Sequence, residues 1–218
     1  MLSSSLAFLF NQKMPMVAVD CDVDAPNLAV WLNELENWDQ VKGISTSVRP
    51  VFDREKCIGC GQCVQSCQFK ALAMAEGKPQ LNPFVCEGCG VCELICPQKA
   101  ISLKEVENGQ LKIKKTKYGF SLVSGQLYPG QTGSGEVVTE IKEEASKFLK
   151  KTNEIMLIDS SPGTGCPVIA SLRDVDYVVL VTEPTLAGLA DLKRVFEVVE
   201  YFKLPYGVVL NKGDLNPQ

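Results

Sequence analysis

Residues 17–27 read VAVDCDVDAPN, a short apolar run closed by three aspartates, Asp20, Asp22 and Asp24, within five positions. An apolar run this short reads as a buried strand, and it puts the acids at the strand's carboxyl end. Two meanings compete for the cluster. One is a solvated turn, in which Asp24 caps a helix over APNLAVWL and Pro26 sits in the first turn. The other is a magnesium and phosphate site, because parallel sheets bind ligands beyond the carboxyl ends of their strands.

Outward from this stretch the pattern repeats. EIMLIDSS (154–161), DYVVLVTEP (176–184) and PYGVVLNKGD (205–214) are three more short apolar runs that end in acids or amides. Apolar residues at helical spacing over 135–152 and 185–203 predict two long amphipathic helices. Strands alternating with helices predict an α/β protein with a mostly parallel, doubly wound sheet. The strand ends would gather Asp20, Asp22, Asp159, Glu183, Asn211 and Asp214 at one rim. LIDSSPGTGCP (157–167) places an acid at a strand end before a Pro-Gly turn, the pattern of a magnesium-holding acid followed by a phosphate-approaching glycine. VENGQLKI (106–113) reads as an Asn-Gly hairpin. GQLYPGQTGSG (125–135) follows no clean strand and reads as a connector or interface loop.

The chain has 218 residues, 45% of them hydrophobic, a net charge of −4, and no apolar run long enough for a bilayer. That charge gives no sign of nucleic-acid or anionic-membrane binding. The absence of histidine removes Ser-His-Asp and Cys-His catalysis, Cys2His2 zinc and Rieske ligation together. MLSSSLAFLFNQK lacks the basic start and the small-residue cleavage site of a secretory signal. A reducing, cytoplasmic setting is expected.

Of ten cysteines, eight lie between residues 57 and 96. CIGCGQCVQSC supplies Cys57, Cys60, Cys63 and Cys67, and CEGCGVCELICP supplies Cys86, Cys89, Cys92 and Cys96. Each cysteine of the first run has a counterpart 29 residues later, as in Cys57 and Cys86, and Ala71-Leu72 matches Ala100-Ile101. This is an internal duplication. The spacing C-x2-C-x2-C-x3-C is that of two-cluster bacterial ferredoxins, in which the fourth thiolate ligates the other cluster. Cys57, Cys60, Cys63 and Cys96 are therefore expected to hold one [4Fe–4S] cluster, and Cys86, Cys89, Cys92 and Cys67 the other. Structural zinc prefers two separated C-x2-C pairs and fits this spacing poorly. Gln68 stands where the second run has Pro97, which predicts altered stiffness near Cys67.

DCDVDAPN, the cysteine block, LIDSSPGTGCP, TEPT and NKGD together resemble the MinD/ParA/Mrp class of P-loop ATPases, in the branch with an inserted two-cluster ferredoxin domain. The resemblance implies an N-terminal ATPase part over 1–49, the ferredoxin insert over 50–116 and a C-terminal ATPase part over 117–218. It implies that Asp20 positions magnesium, Asp22 orients the attacking water, Asp159 is the Walker-B acid, Gly163 meets the γ-phosphate and Asn211 reads adenine. Asn27, opening the next helix, would contact the partner or the switch. No G-x-x-x-x-G-K-[ST] loop occurs in the 218 residues, and residues 1–13 read as the helix that follows such a loop. The chain is thus expected to be truncated at both ends, with an inactive ATPase-like domain. ATP, Mg2+ and a nucleotide-dependent homodimer belong to a full-length form. Cys21 reads as a small buried hydrophobe. Cys166 lies at the offset where the distantly related nitrogenase iron protein places a ligand for a cluster shared between subunits; the alternative is a turn cysteine before Pro167.

Three functions follow from the resemblance. The first is an ATP-gated electron relay with a redox partner protein. The second is an iron–sulfur assembly carrier like Mrp-type proteins. The third is a redox-sensing regulatory ATPase.

Overall fold

The run MVAVDC forms strand β1 (Met16–Cys21), and all six of its residues are buried. A strand buried on both faces needs a neighbour on each edge and a layer on each side. β1 pairs in parallel with β8 (Ser121–Leu127) and β9 (Ile155–Ser160). Met16 and Ala18 share a core with Ala7 of α1 (Leu2–Asn11), Leu28 of α2 (Leu28–Trp31), and Phe120 and Leu122. Helix α5 (Ser134–Ser146) also packs on β1 and buries Val137, Val138 and Ile141. Fully burying a side chain of this size contributes about 1.5–3 kcal/mol. The computed structural model describes residues 2–150 and 153–215.

The chain divides into two units. One holds the residues up to 40, 112–126 and those from 134 onward, and the other holds 41–111 and 127–133. The main sheet runs β2-β7-β8-β1-β9, with β2 at Gln40–Ile44 and β7 at Gly109–Lys115. The chain is α/β, with a mostly parallel centre.

Two expectations fail here for physical reasons. Residues 125–127 end a central strand, so the connector begins after Leu127. The strand's apolar run is only Leu122-Val123, and the buried Ser121 and Ser124 disguise it. Small residues are what the packing demands, since a Cβ on Gly125 would stand 1.9 Å from Ile141 Cδ1. The Asn-Gly pair at 108–109 is not a hairpin either. β6 (Ile101–Val106) pairs with β3 (Ser47–Phe52), whereas β7 joins β2 and β8. Neither Asn108 nor Gly109 has the positive φ of a type I′ turn. Asn108 is buried, donating to Thr132 O at 2.8 Å and accepting from Thr46 N–H at 3.0 Å.

The remaining apolar strands, β10 (Val178–Thr182) and β11 (Tyr206–Leu210), pair in parallel as a separate two-stranded sheet. A strand's sequence specifies its burial, not its partner, so four similar runs divide between two sheets. Helix α7 (Leu186–Tyr201) bridges the pair, and its N-cap Thr185 Oγ1 accepts from Gly188 N–H at 2.9 Å. Helix α6 (Cys166–Leu172) adds Val168 and Leu172 to a core with Leu180 and Val199. Lys142 of α5 donates to Ala170 O and Ser171 O at 3.0 Å, tying α5 to the C-terminal end of α6. The helix predicted over 135–152 ends at Ser146, and residues 151–152 lie outside the described residues.

In the other unit the duplication is visible as two halves, β3 with α3 (Gln62–Gln65) and β4 (Leu72–Ala75), then β5 (Lys78–Leu81) with α4 (Val91–Leu94) and β6. β3 pairs antiparallel with β6, and β4 with β5. Cys63, Leu72 and Ile101 form its core, with Phe52, Cys67, Cys92 and Cys96 packed against it. Among the described residues no helix is long and apolar enough to cross a membrane.

Gly125→Ala is expected to lower the unfolding free energy by about 1–3 kcal/mol in a urea titration, through overpacking. Adding Ile141→Val, which removes the clashing Cδ1 methyl, should recover part of the loss. Equal stability of Gly125→Ala and parent would contradict this packing.

Candidate metal centres and the carboxylate rim

The two cysteine runs fold as similar loops because each presses a glycine flat against a carbonyl. A Cβ on Gly59 would stand 2.3 Å from Gly77 O, and one on Gly88 would stand 2.5 Å from Val48 O. Both glycines have the left-handed φ, +70° and +65°, that other residues rarely adopt. The last cysteine of each run sits after a short helix and is oriented by a backbone donor. Cys67 Sγ accepts from Ala71 N–H, and Cys96 Sγ from Ala100 N–H, both at 3.3 Å. The exchange of Gln68 for Pro97 leaves the turn unchanged: Lys70 N–H to Cys67 O and Lys99 N–H to Cys96 O are both 3.1 Å.

These loops enclose two cavities. Cys57, Cys60, Cys63 and Cys96 line one, of about 360 Å³ with its open mouth. Cys67, Cys86, Cys89 and Cys92 line the other, of about 380 Å³ counted the same way, open mouth included. Each cavity thus takes three thiols from one run and the last thiol of the other. Apolar residues such as Ile58, Pro79 and Ile101 complete the first, and Pro50, Leu72 and Leu103 the second. Among the described residues no three His, Cys, Asp or Glu side chains converge as one metal ion demands. Four thiols bordering an open space fit a polynuclear cluster instead. Burial pushes the Cys63 and Cys92 thiols above their ordinary pKa. Bound iron reverses that cost, because a metal cation stabilises the thiolate.

The second constellation lies at the carboxyl ends of β1 and β9. Asp20 and Asp159 are register partners on the two strands. Asp20 is fully buried, and its Oδ2 accepts from Leu28 N–H at 2.9 Å and its Oδ1 from Asp22 N–H at 3.2 Å. Asp20, not Asp24, therefore satisfies the first turn of α2. Asp24 is exposed, and Asn27 takes the N-cap position without a side-chain cap bond. Desolvation, and then the neighbouring Asp159, push the Asp20 pKa up to about 7. Two hydroxyls complete the cluster: Ser3 Oγ donates to Asp159 Oδ1 at 2.7 Å and Ser161 Oγ to Asp22 Oδ1 at 3.1 Å. Sequence reasoning missed both. Ser161 adjoins the LIDS signature, but Ser3 carries no local signal at all.

Gly163 lies in the exposed loop between β9 and α6 with φ +94°, and nothing approaches its missing Cβ within 4 Å. Asn211 follows β11 in the separate sheet, where its N–H donates to Thr182 O at 2.8 Å. Glu183 pairs with Lys212 at 2.5 Å. The structure thus brings Asp20, Asp22 and Asp159 together by hydrogen bonds and register, and leaves Asn211 on another sheet. Cys21 is buried, and Cys166 is exposed as the first residue of α6.

Paired four-thiol cavities in a duplicated segment, on a chain whose mostly parallel sheet carries acids at its strand ends, mark an α/β protein with an iron–sulfur-type domain. Residues 49–113 match the family described as a 4Fe-4S dicluster domain. Two solved structures share the fold: MinD of Pyrococcus horikoshii at 13% identity and MinD of Pyrococcus furiosus at 15%, each with a TM-score of 0.50 and 99% of this chain covered. The chain spans 65% and 67% of their lengths. The Methanocaldococcus jannaschii proteins MJ0578 and MJ0579 are 38% and 32% identical over 216 and 211 residues, 99% and 97% of this chain and 74% of each relative. The chain belongs to the same family as these two proteins, as a MinD-like fold carrying a 4Fe–4S dicluster domain.

Asp20 gives stability an inverted pH dependence. Its folded pKa of about 7 exceeds the ordinary 3.8, so the folded state keeps a proton that the unfolded chain releases. Its contribution to stability is then greatest below about pH 4, falls as pH rises to about 7, and is flat above. Asp20→Asn is expected to flatten that slope in urea unfolding compared at pH 5 and pH 8. An identical slope in the variant would rule out Asp20 as its source.

Proposed function

We propose that the chain is an iron–sulfur electron-transfer protein whose MinD-like domain gates the electron path, an ATP-linked relay. Cys57, Cys60, Cys63 and Cys96 hold one [4Fe–4S] cluster, and Cys86, Cys89, Cys92 and Cys67 hold the other. The observation that carries this reading is the exchange of last cysteines between the two cavities. Cys63, Cys67, Cys92 and Cys96 all pack on one small core, so both cages share one packed cluster. The bound clusters supply one-electron chemistry. The chain supplies ligation, a largely apolar lining that limits water, and N–H donors to sulfur at Cys67 and Cys96. Two adjoining cages suit a relay, in which electrons enter at one and leave from the other toward a redox partner protein.

The carboxylate rim supports the nucleotide half. Asp20, Asp22 and Asp159 stand at two strand ends, and burial raises the Asp20 pKa to about 7. A divalent cation relieves the repulsion among them. By the family resemblance Asp20 and Asp159 serve magnesium, Asp22 serves the attacking water, Gly163 the γ-phosphate and Asn211 the adenine. The Pyrococcus horikoshii MinD structure is a complex with Mg-ADP. Phosphate affinity itself needs a lysine-bearing loop, which these 218 residues do not contain, so binding of ATP and Mg2+ and nucleotide-dependent dimerisation would require one.

The test is anaerobic. The purified chain should contain about eight Fe. Cys96→Ser should lose about half of that iron, although its cavity is otherwise lined by cysteines of the other run. Reduced protein mixed with a redox dye should pass electrons while its iron stays bound, and an apo-ferredoxin added as a cluster acceptor should gain no iron. Loss of iron to the acceptor would replace the relay with a cluster carrier, and stoichiometric zinc with little iron would refute the ligand assignment.

A further inference from the structure

The duplication pairs Lys78 with Arg49, 29 residues apart, and each precedes a proline that lines a cavity, Pro79 in one and Pro50 in the other. The two cations behave differently. Lys78 Nζ donates to the carbonyl of Cys57, the first cysteine of its cage. By the same 29-residue offset Arg49 corresponds to Lys78 and Cys86 to Cys57, but the Arg49 Nη2 donates to Gln131 Oε1 at 2.7 Å. Its Nε is buried without a partner. Lys104, its register partner on β6, sets a like charge beside it. A buried unpaired N–H costs about 1–3 kcal/mol, and like charges facing across a strand pair destabilise further. The guanidinium is therefore incompletely satisfied where it lies.

Gln131 belongs to a strap, residues 127–133, that is part of the cysteine-bearing unit. Both ends of the strap continue into the other unit: Leu127 ends β8, and Ser134 begins α5. Asn108 anchors the strap by donating to Thr132 O at 2.8 Å and accepting from Tyr128 N–H at 2.9 Å. Tyr128 Oη adds a bond to Glu107 at 2.8 Å.

We propose that Arg49 is a positioning residue that tunes the cluster held by Cys67, Cys86, Cys89 and Cys92, and that the strap controls it through Gln131. With Gln131 bound, the guanidinium is withheld from the Cys86 loop. Released, it takes up the Cys86 carbonyl as Lys78 takes that of Cys57. A cation moved toward a cluster favours the reduced, more negative form and raises its reduction potential. This rests on the relay reading and gives it a coupling element, since the strap's ends are set by β8 and α5.

The test is an EPR-monitored reductive titration of the full chain, purified anaerobically, with dithionite as the reductant. Lys78→Gln is expected to move one midpoint to more negative potential. Gln131→Leu, at a half-exposed position, should move the other midpoint to less negative potential. That rise should vanish when Arg49→Gln is added. Gln131→Glu, which holds Arg49 more firmly, should leave the same midpoint at or below the parent value. Unchanged midpoints in Gln131→Leu, or an equal rise with and without Arg49, overturn the proposal, and the relay stands if about eight Fe per chain and electron transfer persist. A parent chain that binds no iron overturns the relay reading and the proposal with it.

Discussion

Each cysteine run sends its last thiol to the other run's cavity, and the inserted unit depends on that exchange. The unit has a small core, in which Cys63, Leu72 and Ile101 are the buried members. A core of that size contributes little against the entropy of ordering the chain, and small domains in this position rely on covalent or metal links. Sharing Cys67 and Cys96 makes the two halves interdependent, because neither cavity closes until both loops are in place. The pairing of β3 with β6, the first and last strands of the duplicated region, brings its ends together. A unit with adjacent ends can be carried between two strands of a host sheet without stretching either.

The host sheet has its own electrostatic tension. Burying Asp20 beside Asp159 sets two carboxylates side by side at adjoining strand ends. The fold keeps Asp20 because its two oxygens organise the loop after β1, accepting from Asp22 and from the first turn of α2. A buried acid whose partners are all neutral donors is held near neutrality of charge by desolvation. One side chain thus both organises the loop and carries the desolvation cost of the rim.

Legibility followed the range of the interactions. The cysteine loops could be read because ligand spacing is local, fixed by glycines a few residues away. β1, β9 and α7 could be read because apolar runs and helical spacing report burial directly. β8 could not, because its small residues answer to Ile141 on a helix sixteen residues further on. Asn108 could not, because its amide is spent on Thr46 and Thr132, far from the turn that its Asn-Gly dipeptide advertises. The cap that Asp24 offers in one reading of the sequence is supplied by Asp20, whose bond runs eight residues to Leu28. Ser3 reaches Asp159 across most of the chain, a pairing that no local pattern encodes.

The duplication separates what sets the shape of the two cages from what sets their electrostatics. The shape repeats at the backbone: Gly59 and Gly88 against carbonyls, Ala71 and Ala100 donating to sulfur at the same distance, Pro50 and Pro79 in the linings. Exchanging Gln68 for Pro97 disturbs none of it. The charges do not repeat. Glu87 lines one cavity where Ile58 lines the other, and Lys78 is engaged with its cage while Arg49 is not. Both sites offer four thiolates, so differences in ligand charge cannot distinguish them. On the proposed relay reading, a bias in the direction of electron flow comes from these few side chains and from solvent access. Of the two matched cations, Arg49 is tied through Gln131 to the strap 127–133, which follows β8 and precedes α5 in the chain.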